Sequence, residues 1–140
     1  MELNEFSKVF ADKLLAKFPE LKPYIQITPY TDRDEAYLEV SIPSPHDEDT
    51  VLFISTIDEE ITVGFDWWHT HIGYAPTEEE TYNQAIHLIE EIILEKKAIA
   101  YVKKDGNWIY SRLLQPGENV EQKEGERIYV RSWKGTHNND

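Results

Sequence analysis

The feature that most narrows the folds open to this chain is a change in the period of its apolar residues. Leu3, Phe6, Phe10, Leu14 and Phe18 recur at three- and four-residue spacing until Pro19 stops the pattern, which predicts an amphipathic helix over residues 3 to 18. Beyond it the period falls to two. Tyr24 to Tyr30, the alternating Leu38, Val40 and Ile42, then Val51 to Ile57, then Ile61, Val63 and Phe65 have the pattern of β-strands. Pro43, Ser44, Pro45 and the acids Asp47 to Asp49 separate the second from the third, and Asp58, Glu59 and Glu60 join the third to the fourth as a hairpin. A helix with one apolar stripe needs an apolar surface to cover, and a sheet supplies one.

The helical period then returns. Thr77 and Glu80 form a capping box, with Pro76 just outside it. Tyr82, Ala85, Ile86, Ile89, Ile92 and Ile93 make one face opposite Glu90, Glu91 and Glu95, so residues 78 to 96 are expected as a second helix. Ala98 to Lys103 and Trp108 to Leu114 flank Lys104-Asp105-Gly106-Asn107, a D-G hairpin turn. Gln115 to Gly125 is polar loop, and Ile128, Val130 and Ser132 alternate with Tyr129, Arg131 and Trp133 in a last strand. The expected class is α+β, a mostly antiparallel sheet in the order α-ββββ-α-βββ, covered on one face by two helices. Without a repeat or a Pro/Gly/Ser linker, residues 1–134 read as a single domain and 135–140 as a flexible tail.

Charge narrows the function classes. The chain has 27 acids against 14 Lys and Arg, a net charge of −13. From residue 34 to 95 there is no Lys or Arg while 16 acids occur, so the middle of the chain supplies the whole negative field. Such a field repels nucleic acid and anionic lipid and accelerates encounter with a basic protein. Solubility alone is the plainer explanation of it. Cysteine is absent, which excludes disulfides, thiolate catalysis and Cys-based metal centres and suits the cytoplasm. The acidic, amphipathic N-terminus is unlike a secretory signal, and no apolar run approaches the roughly 20 residues of a membrane span. Phosphate-loop, dinucleotide and common hydrolase signatures are missing. Arg127, Arg131 and Lys134 beside Tyr129 and Trp133 are too few to overturn the expectation of no nucleic acid, and no cofactor is expected.

Gly64 to Tyr74, GFDWWHTHIGY, concentrates the remaining chemistry. On a continued strand, Asp66, Trp68 and Thr70 point one way and Trp67, His69 and His71 the other, so at least one indole must face outward or fill a groove. His69 and His71, two apart on one face, can share a metal ion, with a third ligand still needed. With Thr77-x-x-Glu80 downstream they resemble the JAMM metal-dependent isopeptidases. That likeness implies a metal-dependent hydrolase, but Ile72 stands where the family has Pro, Thr77 where it has Ser, and Glu80 where it has its metal-binding Asp. Ordinary packing of an aromatic strand is a further explanation, and a pocket lined by Trp67 and Trp108 would indicate a small ligand.

The run Ile61 to Ile72, followed by an acidic, isoleucine-rich helix and a Tyr- and Trp-bearing hairpin, resembles the small acidic immunity proteins found beside bacterial polymorphic toxins. The resemblance spans residues 61 to 114 and implies a cytoplasmic antitoxin that neutralises a basic, nuclease-type toxin by binding it, with no catalytic residue. The expected partner-binding residues are the acids Asp47, Glu48, Asp49, Asp58, Glu59, Glu60 and Asp66, with Trp67, Trp68, His69, His71 and Tyr74 as anchors.

Overall fold

In the computed structural model, residues 2–73 and 75–139 are described. Helix α1 (Glu5–Lys17) starts at Asn4, whose side chain accepts the Ser7 amide at 2.9 Å, and ends before Pro19, where a 3-10 turn (Pro19–Tyr24) leads into the sheet. Five strands follow: β1 (Ile25–Pro29), β2 (Ala36–Pro43), β3 (Val51–Ser55), β4 (Ile61–Phe65) and β5 (Trp68–Ile72). They form an antiparallel meander in chain order. After α2 (Glu78–Ile93), strands β6 (Ala98–Lys104), β7 (Asn107–Leu114) and β8 (Glu126–Arg131) make a second antiparallel sheet in the order β7-β6-β8. The α+β class and the helical cover are as expected. The WWHTH stretch does not prolong β4, however; it turns back at Asp66 and forms a strand of its own.

The core lies between the helices and the inner face of the first sheet. Phe10 and Leu14 of α1 and Ile89 of α2 are fully buried with Leu38, Val40, Ile54 and Val63. Each such side chain contributes about 1.5–3 kcal/mol through the apolar surface it removes from water. Tyr82 joins the two helices, 5.1 Å from the Phe6 ring and 6.1 Å from that of Phe10. Burial and the neighbouring Glu78 push the Tyr82 phenol up to about 12, so it stays neutral and donates to Glu78 at 3.2 Å. The second sheet closes on the same core through Ile99, Tyr101 and Trp133, whose ring lies 6.0 Å from that of Phe65.

A polar contact crosses this interior. Ser7 on α1 and Thr56 after β3, both fully buried, share a hydroxyl hydrogen bond of 2.6 Å. Thr56 Oγ1 also accepts the Leu38 amide at 2.9 Å, while the Thr56 amide donates to the Leu38 carbonyl at 3.0 Å. Its side chain thereby continues the β2–β3 ladder one step past the end of the strand and ties it to the helix.

The capping Thr77 accepts the Glu80 amide at 3.1 Å, the first of the two bonds of the expected box. Asp105 and Gly106 both have positive φ, 53° and 82°, as a two-residue β6–β7 turn demands. The chain's end, expected as a frayed tail, carries an ordered set of bonds. Asn139 accepts from the Val130 amide and donates to the Ile128 carbonyl, covering the outer edge of β8, and Glu95 takes up the Lys134 and Thr136 amides. Among the described residues no helix is long and apolar enough to cross a membrane.

Replacing Thr56 by Val keeps the shape but removes the acceptor of the buried Leu38 amide and the hydroxyl partner of Ser7. Thr56→Val is expected to lower unfolding free energy by about 1–3 kcal/mol in urea denaturation. Leu14→Ala, which opens a cavity under α1, should cost about 2–5 kcal/mol in the same measurement.

Candidate functional site

Alternation along β3, β4 and β5 decides what the outer face of the first sheet carries. Leu52, Ile54, Ile61, Val63 and Phe65 point into the core, so Val51, Phe53, Thr62 and Gly64 point the other way. Register then places His69 opposite Gly64 and His71 opposite Thr62. Because Gly64 has no side chain, the floor is notched there: a Cβ on it would lie 3.3 Å from His69 Cβ and 3.4 Å from the Trp68 carbonyl oxygen. The result is an open groove of about 460 Å³ lined by Asp49, Val51, Phe53, Thr62, Gly64, Asp66, Trp68, His69 and His71.

The groove is polar at both ends and apolar between. At one end stand Asp49 and Asp66. Asp66 holds positive φ (55°) in the β4–β5 turn, a conformation that Asp and Asn tolerate better than most side chains. Its carboxyl is raised above the ordinary value by burial and by Asp47, although Arg131 and Lys103 pull it down. At the far end, His71 Nδ1 lies 2.7 Å from Glu60 Oε1 and 2.9 Å from Thr62 Oγ1. The His69 and His71 rings meet edge to face at 5.2 Å. Among the described residues no group of three His, Cys, Asp or Glu side chains is disposed to hold a metal ion.

Of the expected binding residues, Asp49, Asp66, Trp68, His69 and His71 converge on this groove, and Glu60 reaches it through His71. The others disperse. Asp47 closes the loop before β3, accepting from the Asp49 amide and the Thr50 hydroxyl. Glu48 belongs to a separate depression with Leu21, Tyr24, Pro43 and Trp133. Asp58 is paired with Arg33 at 3.0 Å, and Glu59 borders a hollow at the start of α2. Tyr74 lies outside the described residues.

The two indoles separate because Trp67 is a turn residue and escapes strand alternation. Trp68 rests half-buried against the core, whereas Trp67 is 49% exposed and lies over Tyr101 of the second sheet, 5.7 Å between centroids. Trp67 and Trp108 are linked on the surface: the Trp108 indole donates to Ser111 Oγ, which donates to the Trp67 carbonyl, both at 2.7 Å. Sequence reasoning passed over Val51, Phe53, Thr62 and Gly64. Their signal was present in the alternation, as the half of each strand that faces away from the helices. No protein-family model, curated protein or solved structure matches the chain.

The raised Asp66 carboxyl has a consequence for pH. The folded protein holds this proton more tightly than the unfolded chain, so the ionised carboxylate detracts from stability. The penalty is absent below the ordinary value of 3.8 and sets in as pH rises through the higher folded value. Asp66→Asn, which suits the left-handed backbone, is therefore expected to be more stable than the parent at neutral pH. The difference should vanish in acid, as checked by thermal unfolding across pH.

Proposed function

We propose that this chain is a non-catalytic binding protein that captures a basic protein, the partner class of an immunity protein acting on a nuclease-type toxin. One observation carries this: an apolar-floored groove with the carboxylates Asp49 and Asp66 at one end and the His71–Glu60 pair at the other. Glu60 and Asp66 bracket a five-residue strand, six residue steps apart, which sets them about 20 Å apart. Lysine and arginine side chains suit such a site, since their stems lie along apolar surface while their heads reach a carboxylate. On Val51, Phe53 and Gly64 the stem finds the surface, and at Asp49 and Asp66 the head finds the charge. The carboxylates would stand where the toxin's phosphate-bearing substrate binds.

The roles divide physically. Exposed acids raise the association rate and make it sensitive to salt, while half-buried Trp68 in the groove wall supplies the desolvated anchor that slows dissociation. Asp58 lies away from the groove in a cluster with Asp32 and Glu35 that shares the cation Arg33.

The test is retention of a basic protein from an extract of the source cell on the immobilised chain. It should be held at roughly 0.1 M salt and released at roughly 1 M, where the screening length falls from about 10 Å to about 3 Å. The Asp49→Asn/Asp66→Asn variant should bind about ten-fold or more weakly. Co-expression should suppress the captured protein's toxicity. Retention indifferent to both salt and variant would refute the proposal.

A further inference from the structure

We propose that the ridge where Trp67 and Trp108 meet β6 and β8 is a second docking surface, which takes an extended, carboxylate-bearing segment of a protein partner. It is opposite in sign to the groove and stands whether or not the groove binds a basic protein.

Two large side chains form its crest. Trp67 and Trp108 are 49% and 50% exposed, and the Ser111 relay connects the indole of one to the backbone of the other. Their arrangement is therefore braced before any partner arrives, which reduces the ordering cost of binding. Tryptophan is among the residues most enriched at interface hot spots.

Cations with no carboxylate in salt-bridge range lie beside them. Lys103 and Arg127 are direct cross-strand partners on β6 and β8. Lys103 Nζ is 4.8 Å from the Trp67 ring centre, and the Arg127 guanidinium carbon is 4.8 Å from that of Tyr129. Like charges directly opposite one another destabilise a sheet. A chain with 27 acids had ample means to neutralise them, yet among the described residues no carboxylate lies within 4.0 Å of either nitrogen group. Contact with aromatic faces returns only about 0.5–1 kcal/mol at exposed sites and leaves the N–H donors for an incoming acceptor.

That acceptor is better supplied by a protein than by a nucleic acid. Base stacking requires open aromatic faces, but Tyr101 and Tyr129 stack on one another at 4.8 Å and 9°, and Tyr101 and Lys103 both lie against the Trp67 ring. Asp66, next to Trp67 in a chain of net charge −13, also opposes a long polyanion. A segment with one or two carboxylates between apolar side chains needs no stacking face and carries far less charge past Asp66: its acids reach Lys103 and Arg127 while its apolar groups cover the indoles.

A displayed library of random eight-residue peptides, panned against the whole protein and against Lys103→Gln/Arg127→Gln, decides the matter. Selected peptides should be enriched in Asp or Glu beside leucine or aromatic residues, bind the variant about ten-fold more weakly, and move the Trp67 and Trp108 indole N–H resonances. Unchanged amide spectra elsewhere verify that the variant is folded. No enrichment, enrichment insensitive to the variant, or resonance shifts confined to the groove would overturn the proposal. So would a single-stranded oligonucleotide that moves the same indole signals at lower concentration than any selected peptide.

Discussion

The inner face of the five-stranded sheet must be covered, and the rest of the structure depends on how that is done. Leu38, Val40, Ile54 and Val63 present a continuous apolar surface that α1 and α2, with Phe10, Leu14 and Ile89, shield from water. Burial of this kind is non-directional and would tolerate many helix positions. The Ser7–Thr56–Leu38 hydrogen bonds are directional, so they select one. A helix shifted along the sheet would keep much of its apolar contact but strand two buried hydroxyls.

Covering one face leaves the other for function. Strand alternation that sends Ile54 and Val63 inward sends Phe53, Thr62 and Gly64 outward, and the missing side chain at Gly64 hollows the surface. The β4–β5 turn then divides the aromatic dipeptide between two jobs. Trp68 stays with the core of the first sheet, while Trp67 leans across the seam onto Tyr101 of the second. The seam is therefore where the acidic groove gives way to the cationic ridge, and Asp66 marks the boundary, feeling Arg131 and Lys103 on one side and Asp47 on the other.

The negative field is less uniform than its sum. Several acids are structural: Glu79 and Glu90 of α2 reach back to Lys13 and Lys17 of α1, and Glu95 holds the backbone of the last turn. Exposed pairs such as these contribute about 0.2–1 kcal/mol and leave little charge for a partner to meet. Asp49 and Asp66 lie instead beside apolar floor without an ion pair among the described residues, so the same net charge has very different local consequences.

Local signals determined most of the elements of this protein. A 3.6-residue stripe ending at Pro19, a capping Thr77 and an Asp-Gly turn are local signals, and the helices and most strands follow from them because each depends on residues within a few positions. The reversal at Asp66 had no such signal: a single non-glycine residue at positive φ is stabilised by the pairing on either side of it, so WWHTH read as an extension of β4. Which acids share a surface was equally illegible. Asp58 and Asp66 are eight residues apart in the same basic-free stretch, yet one meets Arg33 and the other stands over a groove. The cationic ridge joins residues from the β4–β5 turn, β6, β7 and β8 that no sequence window contains together. Local chemistry chose the elements; the register and packing of distant strands chose their neighbours, because side-chain contacts across a sheet are set by pairing partners rather than by position along the chain.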